Sequence, residues 1–161
     1  MLAPGDYSDT LRALGRFLEE IRALNVRIQD RELHLQLTWT DRHGHRMDKR
    51  YQPQDVWALR KAAAMHRGIE NSMHRFSPAE LLRTLGRDLD EMKATNVSIR
   101  EDAEGFSVKA SVKGGEMSRT YGYADLVARA QQYHEMRLAE QQVTDAPESA
   151  QVLAPQADEA C

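Results

Sequence analysis

Cysteine is almost absent from this chain of 161 residues, since its one cysteine is Cys161, the last residue. A single cysteine forms no internal disulfide, which favours a reducing compartment, and a terminal thiol supplies no Cys–His arrangement for nucleophilic catalysis. Long apolar runs are missing too, since none approaches the roughly 20 residues that a membrane helix needs. The opening residues, MLAPGDYSD, also lack the basic and apolar segments of a signal peptide. We therefore expect a cytoplasmic protein that has no membrane association.

The motifs of common enzyme and nucleotide-binding sites are also missing. The sequence contains no GxSxG, GxGxxG or GxxxxGK pattern. Its paired carboxylates, at Glu19–Glu20 and at Asp88, Asp90 and Glu91, are interleaved with arginines on a polar helix face. Such a face is typical of a solvated surface, whereas acid–base catalysis needs two groups whose environments separate their pKa values. We therefore expect a protein with no enzymatic activity, no catalytic residue and no cofactor.

Two histidines in a predicted hairpin loop are spaced like metal ligands. His43 and His45 lie between Asp41 and Asp48, and imidazole and carboxylate groups bind divalent cations. The corresponding hairpin in the second half of the chain, at residues 113–116, contains no histidine. A polar hairpin tip explains the same residues. We therefore assign no metal ligand, although the sequence alone does not decide whether His43 and His45 bind a metal.

The chain contains one stretch twice. Residues 11–28 read LRALGRFLEEIRALNVRI and residues 82–99 read LRTLGRDLDEMKATNVSI, and 11 of the 18 aligned positions are identical. Because the offset of 71 residues is constant over an ungapped run, we interpret the likeness as an internal duplication. Gly15 and Gly86 recur at the same helical position, where glycine costs roughly 1 kcal/mol relative to alanine. This recurrence predicts that the helix packs closely against a sheet or against its sister helix.

Apolar periodicity predicts the same elements in each half. Leucines three and four residues apart predict a first helix that begins near Ser8, with Ser8 as its N-cap, and a second copy that is capped by Ser77. The predicted elements of the first half are a helix from residue 8 to about 24, strands near 25–29, 33–40 and 46–51, and a helix from 54 to about 67. The second half repeats this order and ends with a helix over about residues 124–141.

This pattern predicts an α+β fold, an internal duplication of a helix–three-stranded antiparallel meander–helix unit whose copies pack with pseudo-twofold symmetry. We assign residues 1–67 to the first αβββα repeat, 68–75 to a short joint and 76–141 to the second repeat, both in one compact domain. Whether the two repeats form one continuous sheet is left open. Residues 142–161 contain four acidic and no basic residues without apolar periodicity, which predicts a disordered acidic tail.

Protein–protein association is the function that this sequence favours. A duplicated fold without a catalytic constellation is typical of a binding or adaptor protein, here with a partner of unknown identity. The exposed edges of a short meander pair readily with another chain, and a homodimer is one such assembly. Large aromatic side chains commonly anchor interfaces. The candidate anchors are Trp39, Trp57, Tyr51, Tyr121, Tyr123 and Tyr133. Aromatic residues make up only 6% of the chain, so we expect the core to need most of them.

Nucleic-acid binding is the alternative hypothesis. The strand residues that alternate with the apolar rows are polar and mildly basic, so that face could lie along a phosphate backbone. The order of elements in each half resembles that of the double-stranded-RNA-binding domain family, which implies an RNA partner. The lysine cluster at the start of that family's second helix is absent here, where the chain reads QPQD at 52–55 and GYAD at 122–125. The candidate contacts are Arg42, Arg46, Lys49, Arg50, Lys109, Lys113 and Arg119.

Overall fold

The structure, a computed structural model, describes residues 1–65 and 77–144. These residues form an α+β fold with four helices and a six-stranded antiparallel sheet. No helix within these two ranges is both long enough and apolar enough to cross a membrane. The elements are, in chain order, α1 (Tyr7–Glu20), β1 (Leu24–Asp30), β2 (Leu35–Thr40), β3 (Arg46–Tyr51), α2 (Pro53–Met65), α3 (Pro78–Glu91), β4 (Thr95–Asp102), β5 (Gly105–Val112), β6 (Gly115–Gly122) and α4 (Tyr123–Thr144).

The ends of three helices differ from the sequence prediction. Helix α1 ends at Glu20, about four residues before its predicted end, because Arg22 with a φ of 53° turns the chain towards β1. Helix α4 continues to Thr144, three residues beyond its predicted end and into the segment that we assigned to the tail. Helix α2 begins at Pro53, one residue before the predicted start, because proline suits the first turn of a helix. The predicted end of α2 at about residue 67, the joint at 68–75 and the rest of the tail lie outside the described residues.

All six strands join in one sheet, which answers the question that the sequence left open. The strand order is β3-β2-β1-β4-β5-β6, so that β3 and β6 are the two edge strands. The halves are joined by the antiparallel pairing of β1 with β4, in which Ile28 lies opposite Ile99. Both isoleucines belong to the repeated stretch and are buried. The repeat therefore supplies the two strands at the centre of the sheet.

The hydrophobic core lies on one face of this sheet. In β2, Leu35, Leu37 and Trp39 are buried while the residues between them are only half-buried, which is the alternation of a sheet with a single covered face. Helices α1 and α3 cover that face and contact each other along their length. The helical core residues are Leu11, Leu14 and Leu18 in α1 and Leu82, Leu85 and Leu89 in α3.

Gly15 and Gly86 each lie directly against backbone of the other helix. A Cβ atom added to Gly15 would lie 2.5 Å from the Cα atom of Ala79, and one added to Gly86 would lie 2.7 Å from the Cα atom of Ser8. Real Cβ atoms essentially never approach backbone atoms so closely. The predicted close packing is therefore confirmed, and the partner of each glycine is the start of the sister helix.

The two helices start with different caps. In α3 the Ser77 hydroxyl accepts a hydrogen bond from the backbone nitrogen of Glu80 at 3.4 Å, as predicted. In α1 the predicted cap at Ser8 is wrong, because the helix begins at Tyr7 and its N-cap residue makes no side-chain bond. The Asp90 carboxylate, at the end of α3, accepts hydrogen bonds from the backbone nitrogens of Gly5, Tyr7 and Ser8 at 2.8, 3.0 and 2.9 Å.

Replacement of Gly15 with alanine tests the close contact. An alanine at an open helix position would raise the free energy of unfolding by about 1 kcal/mol. Here the added methyl group must displace backbone of α3, so we expect the Gly15→Ala protein to lose roughly 1–3 kcal/mol instead, measured by urea denaturation. A stabilised Gly15→Ala protein would contradict the contact.

Replacement of Asp90 with alanine tests the cap from α3. Three backbone N–H groups lose their acceptor, so we expect the free energy of unfolding to fall by about 1–2 kcal/mol. The neighbouring exposed Glu91 provides the control, because Glu91→Ala should change that free energy by less than about 0.5 kcal/mol. Equal losses in the two variants would show that Asp90 does not hold the start of α1.

Candidate functional site

The face of the sheet opposite the described helices is polar, and no element formed by residues 1–65 and 77–144 packs over it. We call it the open face. It contains the side chains that alternate with the core rows, and the strand registers align them in rows that cross all six strands. The open face consists of Arg46, Asp48 and Arg50 on β3, Gln36, Thr38 and Thr40 on β2, Arg27 and Gln29 on β1, Ser98 and Arg100 on β4, Ser107, Lys109 and Ser111 on β5, and Glu116, Ser118 and Thr120 on β6.

Two arginines face each other at the centre of the open face. Arg27 of β1 and Arg100 of β4 are direct partners across the strand pair that joins the halves. The Arg100 guanidinium is paired with the Asp102 carboxylate at 3.0 Å. Within the described part of the chain, neither Arg27 nor Arg46 has a carboxylate at ion-pair distance. Like charges directly opposite each other destabilise a sheet, so this pair is unfavourable for folding alone.

Arg27 and Arg100 both line a depression of about 370 Å³ that extends from the middle strands towards the end of the open face where β2 turns into β3. We call it the basic depression. Its shape follows from an irregularity in β1, where the register shifts between Leu24 and Arg27 and Asn25 has a φ of 52°. Residues Asn25, Arg27, Thr38, Trp39, Thr40, Arg46, Arg100, Glu101 and Asp102 line the depression.

The two carboxylates of the basic depression are already occupied by hydrogen bonds. Glu101 accepts one from the Val26 backbone nitrogen at 2.9 Å and one from the Tyr123 hydroxyl at 3.0 Å. Burial and that hydrogen bond raise the pKa of Tyr123 to about 12, so its hydroxyl stays a donor at neutral pH. Asp102 accepts from the Ser107 hydroxyl and from Arg100, and both contacts lower the pKa of Asp102. The guanidinium groups of Arg27 and Arg46 therefore remain as donors for an anion.

The seven residues predicted to contact nucleic acid lie in different parts of the structure. Arg46, Arg50 and Lys109 lie on the open face. Lys49 and Arg119 point to the helix side, where the Lys49 ammonium lies 4.8 Å from the ring centre of Phe17 and the Arg119 guanidinium 4.9 Å from that of Tyr121. The remaining two, Arg42 and Lys113, belong to hairpin turns at opposite ends of the sheet. The seven side chains therefore do not form one surface.

Arg27 and Arg100, the central basic residues of the open face, are not among the contacts predicted from the sequence. The alternation of Arg27 with the buried Val26 and Ile28 signals an outward side chain. The same alternation places Arg100 outward, next to the buried Ile99. Only the pairing of β1 with β4, which the sequence left open, brings these two arginines together.

Three of the six candidate aromatic anchors are core residues. Trp39, Tyr51 and Tyr121 are at least 93% buried, so these three are not available as interface anchors. Their large rings lie on the helix side of the sheet, where the core needs apolar volume. Tyr123 and Tyr133 are half-buried. Trp57 on α2 differs, because 61% of its surface is exposed and the Lys61 ammonium lies 5.1 Å from its ring centre.

The hairpin histidines are arranged around Asp41. The Asp41 carboxylate accepts hydrogen bonds from the backbone nitrogens of His43 and His45 at 2.8 and 2.9 Å, which lower the pKa of Asp41. The two imidazole rings have centres 6.2 Å apart. Over residues 1–65 and 77–144, no group of three or more His, Cys, Asp and Glu side chains could hold a metal ion. The Asp41 carboxylate thus closes the turn.

Comparison with known proteins gives no relative for this fold or site. No protein-family model, curated protein or solved structure matches the chain. The resemblance to double-stranded-RNA-binding domains therefore remains one of element order alone.

Replacement of Arg27 with glutamine tests the repulsion at the centre of the open face. Removing one of two facing charges should leave the free energy of unfolding unchanged or raise it by up to roughly 1 kcal/mol at low salt. The gain should shrink at high salt, where the charges are screened. Arg119→Gln is the matched control, because that guanidinium lies over the Tyr121 ring and its loss should give no gain. Both variants are compared with the unchanged protein by urea denaturation. An Arg27→Gln protein less stable than the unchanged one would refute the repulsion.

Proposed function

We propose that this chain is a non-enzymatic binding protein that associates with another protein through its open face. The observation that carries the proposal is the open face, on which Arg27 and Arg100 of the middle strands and Arg46 of the edge strand β3 line one depression. A fold that placed these charges only for solubility would gain nothing by setting Arg27 opposite Arg100. A partner that supplies negative charge would turn this unfavourable pair into a favourable one.

The open face is better suited to this association than the sheet edge at β3. Edge strand β3 reads RMDKRY, and four of its six residues are charged. Charged side chains on an edge strand discourage pairing with a further strand. The hydrogen-bonding edge of β3 is therefore protected, whereas the broad face beside it is not.

Nucleic-acid binding is the second candidate function. Three of the predicted contacts, Arg46, Arg50 and Lys109, share the open face with Arg27 and Arg100. The acidic residues Asp48 and Glu116 stand among them on the same face. Because charges of both signs alternate there, the face lacks the continuous positive track that a nucleic-acid backbone favours.

We further propose that the fold arose by duplication and has pseudo-twofold symmetry. Reciprocal contacts support this idea, since Gly15 meets Ala79 while Gly86 meets Ser8, which is 71 residues before Ala79. The β1 and β4 irregularities are also alike, with φ values of 52° at both Asn25 and Asn96. The axis would pass between the paired Ile28 and Ile99.

Site-specific photocrosslinking tests which face the partner uses. A photoreactive residue in place of Ser98, at the centre of the open face, should capture a partner under native conditions. The same residue in place of Gln132, which is exposed on α4, should capture little. Excess unmodified protein should compete the first crosslink away. Equal or stronger capture at residue 132 would overturn the proposal.

The same experiment with purified protein tests self-association. A product of twice the chain's mass at residue 98 would identify a second copy of the chain as the partner. Its concentration dependence would distinguish a homodimer from random collision.

A further inference from the structure

We propose that the basic depression recognises a carboxylate group of an acidic peptide segment, at one site per molecule. This inference rests on the proposed function, because it names the chemistry that the partner of the open face must present. The two oxygens of a carboxylate match the planar fork of a guanidinium group, as do those of a phosphate, so the surrounding charges must distinguish the two anions.

The donors of the depression converge on one place. Arg27 lies between Arg100 on one side and Thr38 on the other, as direct strand partners, and Arg46 lies opposite Thr40 on the next pair of strands. Arg27 and Arg46 have no carboxylate partner among the described residues, whereas Glu101 and Asp102 are engaged by other donors. An incoming carboxylate would meet two available guanidinium groups flanked by threonine hydroxyls.

The charges around the depression favour a carboxylate over a phosphodiester backbone. A nucleic acid carries a negative charge at every phosphate and binds best to a continuous run of cations. Asp48 adjoins the depression on β3, and Glu101 and Asp102 line it on β4. A single side-chain carboxylate fits between these groups, whereas a charged backbone would pass over them.

The symmetry-related place on the open face has a different character. In the sequence alignment, Arg27 corresponds to Ser98, Arg100 corresponds to Gln29 and Arg46 corresponds to Glu116. The opposite end of the face therefore lacks the three guanidinium groups, although the backbone of the two halves has the same elements. One molecule should accordingly bind one acidic segment.

Titration with defined peptides tests the site. The probe is a short, end-blocked, fluorescein-labelled peptide of glutamates, and the matching glutamine peptide is the control for charge. We expect saturable one-to-one binding of the glutamate peptide that weakens with salt, and no binding of the glutamine peptide. Resonances of Arg27, Thr38 and Arg100 should shift in backbone NMR spectra of the full chain during the titration. Absence of saturation at millimolar peptide would overturn the inference.

Two double variants separate the depression from general charge. Arg27→Gln with Arg46→Gln should weaken peptide binding by about tenfold or more, the loss expected for one charge-assisted bidentate contact. Lys49→Gln with Arg119→Gln makes the same change in net charge on the helix side, and should alter binding less than about twofold. An equal loss in both variants would reduce the binding to non-specific attraction and refute the site.

Binding of labelled double-stranded and single-stranded RNA is measured in the same way for comparison. We expect either RNA to bind more weakly than the glutamate peptide at physiological salt. Tighter RNA binding that is lost in the Arg27→Gln, Arg46→Gln protein would overturn the assignment of a carboxylate in favour of phosphate. Crosslinking at residue 98 without any peptide binding would refute this inference alone. If no partner were crosslinked at residue 98, the open face would be refuted as an interface.

Discussion

The close approach of α1 and α3 is the constraint on which the rest of this structure depends. Each helix presents a glycine to the first residues of the other, so that the two backbones touch without side chains between them. Helices brought so near place the strands that follow them side by side, and β1 and β4 then pair at the centre of the sheet. The leucines of both helices are buried on one face of that sheet, which leaves the opposite face uncovered. The site is a consequence of this one-sided arrangement.

Much of the fold was predictable because short-range signals decide it. Leucine spacing in 11–28 and 82–99, alternation in the strands and the cap at Ser77 depend on neighbouring residues alone. The repeated glycines predicted a close contact before any partner was known. The cap of α1 was not predictable, since its acceptor, Asp90, lies more than 80 residues from the amides that it binds. Long-range contacts of this kind leave no local pattern.

The candidate site also combines features that local pattern predicts with long-range contacts that it does not. Alternation alone places Arg46 and Arg50 on the open face. The same alternation places Lys49 and Arg119 on the opposite, helix-covered face of the sheet. No local rule could show that Arg27 would stand opposite Arg100, because that contact depends on which strands become neighbours. Which of the candidate aromatic residues would stay outside the core was also not predictable from local pattern. A small sheet needs large rings in its core, so Trp39, Tyr51 and Tyr121 were unavailable as anchors.

The cap that Asp90 provides also sets an order of events during synthesis. The first helix is complete only when the end of the third has docked against it, although some 70 residues separate the two in the chain. While the ribosome is still adding the second half, the amides at the start of α1 have no carboxylate acceptor, and Gly15 faces no neighbouring backbone. Residues 1–65 therefore leave the ribosome before the residues of α3 that they contact. The start of α1 is therefore completed only after Asp90 has been synthesised and α3 has packed against α1.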